Sequence, residues 1–139
     1  MKDVPVVLLG WLALTVECKV DESFGQIVSE WIEKEPSGKP ERLDYICKKL
    51  GLKRDEVHNI RYQLLHRTVS ALEMGNRLCC KNALMMVNSF DKQKAGFDDY
   101  STFCQLLGCK PEINKIVKTI RPLNMNLFLG WVELDCTCE

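Results

Sequence analysis

Trp11-Leu12-Ala13-Leu14-Thr15-Val16-Glu17-Cys18-Lys19-Val20 is the stretch whose reading decides the fold. It is apolar up to Val16 and then carries two charges around a cysteine, the pattern of a β-strand that ends in a polar site. Successive strand side chains point to opposite faces. Leu12, Leu14, Val16, Cys18 and Val20 are expected to point into a core, and Trp11, Ala13, Thr15, Glu17 and Lys19 the other way. A carboxylate and an ammonium on one rigid surface can hold a divalent cation beside a group that orients water or steadies a phosphate. The same pair also reads as two solvated charges on an edge strand, the ordinary situation for charged residues.

Working outward, the apolar residues 4–9 and the strand 12–20 are joined around Gly10, which predicts a β-hairpin. Ser23 is placed to cap a helix over 24–34, where Phe24, Ile27, Val28, Trp31 and Ile32 recur at helical spacing. Pro36-Ser37-Gly38-Lys39-Pro40 breaks the chain as a surface loop, and a short helix over 42–50 follows, stopped by Gly51. The longest helix is predicted over 54–76, with Val57, Ile60, Leu64, Ala71 and Leu72 on its buried side. The continuous apolar run 83–87 reads as a strand covered on both faces, 97–107 as a helix, and 127–134 as the last strand. The resulting order, β-β-α-α-α-β-α-β, is that of a mixed α/β sandwich.

At 139 residues, 46% of them hydrophobic, the chain suits a single domain (1–139) with a real core. Lys plus Arg and Asp plus Glu balance at 19 each, which excludes the broad basic footprint of a dedicated nucleic-acid binder and leaves only local contact. No apolar run reaches the ~20 residues that span a bilayer, and residues 5–11 read as strand rather than leader, so a cytoplasmic protein without membrane contact is expected. Eight cysteines are many, but Cys18, Cys47 and Cys104 fall inside predicted elements, as reduced core thiols do. Cys79-Cys80, Cys136-Thr137-Cys138 and the Cys104/Cys109 pair lack the two-residue interval of a zinc grip. Exposed thiols at Cys136 and Cys138 are expected from their place near the end of the chain.

On the long helix Asn59, Gln63, His66 and Ser70 follow one another at intervals of four, three and four, a polar stripe with Arg67 beside it. Such stripes are also what an ordinary solvated helix face shows. Arg61 and Arg67 are the better phosphate candidates, because a guanidinium fork matches phosphate oxygens. Trp31 and Trp131 can stack on bases, yet their spacing suits packing. Asp21 and Glu22 follow the strand and can complete a site, but they equally suit the N-terminal end of the next helix, which is the preferred role. Cys79 and Cys80 lie near His66 only loosely in sequence, with nothing to tie a thiol to a base.

The runs 16–25, Glu30-Trp31, Ser37-Gly38-Lys39, Glu41-Arg42-Leu43, 61–72, 87–90, 97–100 and 127–132 together resemble a little-characterised group of prokaryotic proteins over nearly all of the chain. The Glu-x-Lys at the end of a strand, followed by helices and a buried strand, also resembles the PD-(D/E)xK superfamily of restriction-endonuclease-like nucleases. That resemblance implies a mixed sheet flanked by helices and Mg²⁺-dependent hydrolysis of DNA. Asp3 and Glu17 would be the metal ligands, Lys19 would orient water or stabilise charge, and Gln63 would support from the helix, with Arg61, His66 and Arg67 as nucleic-acid contacts.

Two departures from the superfamily are visible. Only Met1 and Lys2 precede Asp3, so the usual first helix and strand are expected to be missing from the core. A non-catalytic binding or assembly module, completed by a partner or by a second copy as a homo-oligomer, is therefore the alternative. The other departure is register: a turn centred on Gly10 sets Asp3 opposite Glu17, whereas one centred between Gly10 and Trp11 sets it opposite Cys18 and facing away.

Overall fold

β1 (Leu12–Lys19) forms where the sequence predicted a strand and is the start of a four-stranded mixed sheet. The computed structural model describes residues 10–20, 22–34, 37–90, 96–120 and 124–135. Residues 4–9, Asp3, Asp21, Cys136 and Cys138, on which several expectations fall, lie outside the described residues.

After β1 the chain forms α1 (Val28–Lys34), α2 (Lys39–Leu50), a 3-10 turn (Arg54–Glu56) and α3 (Tyr62–Arg77). It continues with β2 (Asn82–Ser89), α4 (Phe97–Leu106), β3 (Lys115–Lys118) and β4 (Asn126–Glu133). The strand order is β1-β2-β4-β3. β1, β2 and β4 run parallel, and β3 is antiparallel to β4. The chain is thus an α/β protein with a mixed sheet.

The faces of β1 are the reverse of those expected. Leu12, Leu14, Val16, Cys18 and Val20 are exposed, whereas Ala13 and Lys19 are buried on the side that α3 covers. Alternation shows which residues share a face, but the packing partner decides which face goes inward. α3 brings Leu64, Leu65, Thr68, Val69, Ala71 and Leu72 to the interior, and Gly75 lets it come close to the strand. A Cβ at Gly75 would stand 2.6 Å from Met125 Sδ and 3.5 Å from Ala13 Cβ. Thr15 Oγ1 donates to the Arg67 carbonyl at 3.0 Å and pins the helix to this polar face.

The predicted helix over 54–76 is broken, and the cause is hydrogen bonding. The Ile60 carbonyl accepts from Val28 N–H at 2.9 Å, and Tyr62 N–H donates to the Gln26 carbonyl at 3.0 Å, closing a bridge between Ile27 and Arg61. Backbone groups committed to residues 26–28 cannot also serve a helix. Val57 and Ile60 still reach the core from the bend between the 3-10 turn and α3, but Asn59 lies in that bend and leaves the polar stripe.

The helix expected from Phe24 begins only at Val28, so neither Ser23 nor Glu22 stands at its N-terminal end. α2 starts three residues earlier than predicted, with Pro40 in its first turn, where a missing N–H costs nothing, and Gly51 (φ 67°) closes it. α4 supplies Tyr100, Phe103 and Cys104 to the same core that α2 and α3 line, together with Met85, Val87, Leu129 and Trp131 from the sheet. β3 was not foreseen: four residues with a lysine at each end carry too little alternation to stand out. Among the described residues all six cysteines are free, and burial, the main cause, raises the Cys47 thiol above its ordinary value.

Candidate active site

Lys19 is the last residue of β1, at the carboxyl end of the three parallel strands, in line with Ser89 of β2 and Glu133 of β4. Crevices at this end of a parallel sheet are where open α/β folds place ligands. The Lys19 side chain is only 4% exposed, so its charge must be matched from within. Its Nζ donates to Gln63 Oε1 at 2.9 Å and to the Ser23 carbonyl at 3.1 Å, and lies 3.3 Å from Glu17 Oε1. Two N–H groups thus meet acceptors, and the carboxylate supplies the opposing charge. The Phe24 ring, with its centroid 5.1 Å from Nζ, forms an apolar wall that favours a cation.

Glu17, 13% exposed, is held on both oxygens: Oε1 by Lys19, and Oε2 by Arg67 Nε at 2.7 Å. Arg67 itself is 48% exposed. Gln63 reaches Lys19 because Gly25 (φ 72°) has no side chain: a Cβ there would lie 3.2 Å from Gln63 Nε2. The positive φ is itself a reason for glycine at this position.

The structure brings together four of the residues singled out from sequence: Glu17, Lys19, Gln63 and Arg67. Arg61 is set apart, its Nε paired with Asp99 Oδ2 at 3.0 Å and its Nη1 donating to the Gly25 carbonyl at 2.6 Å. It therefore clamps the 23–26 loop to α4. His66 is exposed on the neighbouring ridge of α3. Asp3 lies outside the described residues. Trp131 is fully buried, and Trp31 stacks on Tyr62 at 3.9 Å, both as packing residues. Sequence reasoning missed Ser23, Phe24 and Asp99. Of these Ser23 and Phe24 carry a signal, as a cap and as an apolar residue at helical spacing, and that signal points to a helix.

One family model, "Domain of unknown function (DUF6946)", matches residues 3–136. The chain belongs to this family. No curated protein and no solved structure matches it. In this DUF6946 chain all the described residues fall within the matched span, so the Glu17, Lys19, Gln63 and Arg67 cluster is part of the family's domain.

The ion pair between Arg67 and Glu17 is short but half in water, and such pairs contribute about 1 kcal/mol or less. Arg67→Ala is expected to leave urea-induced unfolding within about 1 kcal/mol of wild type.

Proposed function

We propose that this chain is a Mg²⁺-dependent phosphodiesterase that cuts DNA, built on a restriction-endonuclease-like α/β core. The observation that supports this reading is the convergence of Glu17, Lys19 and Gln63, the last from a helix 44 residues away, at the carboxyl end of β1. Among the described residues of the cluster Glu17 is the one carboxylate, and it would take a hard, strongly hydrated cation as Arg67, half in solvent, gives up its Oε2. Mg²⁺ keeps most of its waters and takes one or two carboxylates together with substrate phosphates. Glu17 is one such carboxylate, and Asp3 is the second that the reading requires. When bound, the ion lowers the pKa of water and offsets charge gathering on the phosphate oxygens.

The chain's own residues do the rest. Gln63 and the Ser23 carbonyl fix the Lys19 ammonium, so that it stabilises charge at one place without reorganising during the reaction. Arg67, half in solvent, can exchange Glu17 for an arriving phosphate at little cost. The test is incubation of the purified protein with supercoiled, linear and single-stranded DNA and Mg²⁺ or Mn²⁺, beside Lys19→Ala. Equal cleavage by the two proteins would remove this site from the reaction.

A second reading, the non-catalytic assembly module, is favoured by a different observation. Leu12, Leu14 and Val16 present an exposed apolar row on the face of β1 turned away from α3. Absence of cleavage together with a dimer in light scattering would favour that reading, and a monomer would count against it.

A further inference from the structure

α3 carries two ridges side by side. Gln63 and Arg67, four residues apart, close over Lys19 and Glu17. Tyr62 and His66, also four apart, form an aromatic ridge next to them, and His66 is three residues from Gln63, within about 5–6 Å between Cβ atoms on a helix surface. The Tyr62 ring lies 3.9 Å from the Trp31 indole at an interplanar angle of 10° and 5.8 Å from the His66 imidazole at 30°. Lys39 Nζ sits 4.9 Å from the Trp31 ring centre and donates to the Trp31 carbonyl at 2.7 Å. The ladder is held at its base, because the bonds from Val28 to Ile60 and from Tyr62 to Gln26 tie α1 to the first turn of α3.

A ladder of flat rings, fixed at one end and open at His66, stands one ridge away from a cluster suited to phosphate. A nucleotide carries its base one sugar away from its phosphate, which is the same juxtaposition. We propose that the Tyr62/His66 ridge is a base-stacking platform and that the adjoining site takes single-stranded nucleic acid. This rests on the phosphodiester reading of the Glu17/Lys19 cluster and names its substrate class. Only an unpaired base offers its π-face to a protein ring, since the bases of a duplex already cover one another. The charge balance agrees. With 19 basic and 19 acidic residues, the chain lacks a broad surplus with which to follow a duplex backbone, so stacking must supply what phosphate contacts cannot.

The test separates this proposal from the nuclease reading by using EDTA throughout. Fluorescence anisotropy with a labelled oligothymidylate of about 15 nucleotides is compared with a duplex of the same length. Wild type is expected to prefer the single strand. His66→Ala should weaken that binding about tenfold, and His66→Phe should keep it within about twofold, because a ring and not a charge is needed. Equal binding by His66→Ala and wild type, duplex binding as tight as single-strand binding, or no binding of the single strand would each overturn the proposal. Binding that depends on His66 in a protein that cuts nothing with Mg²⁺ would uphold the platform and reject the nuclease reading alone.

Discussion

Lys19→Ala is expected to destabilise the fold by about 3 kcal/mol and, under the proposed nuclease reading, to reduce Mg²⁺-dependent DNA cleavage by about 10³-fold. The two effects have one source. Lys19 is buried and its ammonium serves two acceptors and one carboxylate, so its removal leaves Gln63 Oε1 and the Ser23 carbonyl without that donor and Glu17 with one cation in place of two. Breaking a buried pair costs about 3–5 kcal/mol when the surviving charge is stranded. Glu17 keeps Arg67 and some contact with water, which sets the loss at the lower end.

Gln63→Ala should cost less, because Lys19 would retain two of its partners. Urea unfolding measures the stability loss, and cleavage per folded molecule measures the chemistry. A Lys19→Ala protein that is destabilised but cuts at the wild-type rate would show that the buried ammonium is purely architectural.

How much of this was legible in the sequence depends on the kind of interaction. The period-two pattern of residues 11–20 set Glu17 and Lys19 on one face, and they share one. The same pattern points that face the wrong way, because an apolar side chain marks the inward face only where no polar one finds buried partners. Lys19 is buried by the partners it finds at residues 23 and 63, and Leu14 is exposed although nothing in its own side chain says so. Glu17 and Lys19 were visible as a pattern, and Gln63 through the resemblance and its place in a polar stripe. Arg67 stood beside that stripe, but its bond to Glu17 spans 50 residues and follows only from α3 lying over β1. The break between the 3-10 turn and α3 was hidden for a similar reason. The residues around Val57 and Ile60 keep helical spacing, and only the backbone bonds to residues 26–28 divert them.

The fold's tolerance is set by Trp131, and Trp131→Ala is expected to cost about 4 kcal/mol, a large share of the roughly 5–15 kcal/mol that holds a domain together. Trp131 is fully buried in β4, where Phe24, Phe97 and Tyr100 surround it at ring-centre distances of 6.3, 5.2 and 5.4 Å. Phe24 in turn lies against Lys19, so losing the indole also loosens the wall behind the ammonium. Under the proposed nuclease reading, cleavage per folded molecule should therefore fall along with stability.

Trp131→Phe should cost far less, about 1–2 kcal/mol. The indole Nε1 is buried and meets no acceptor among the described residues, so removing it gives up volume but no hydrogen bond. Thermal and urea unfolding of the two variants separate the contributions. If Trp131→Phe proved as damaging as Trp131→Ala, the buried N–H would be engaged, and the aromatic core would depend on polar chemistry as well as on packing.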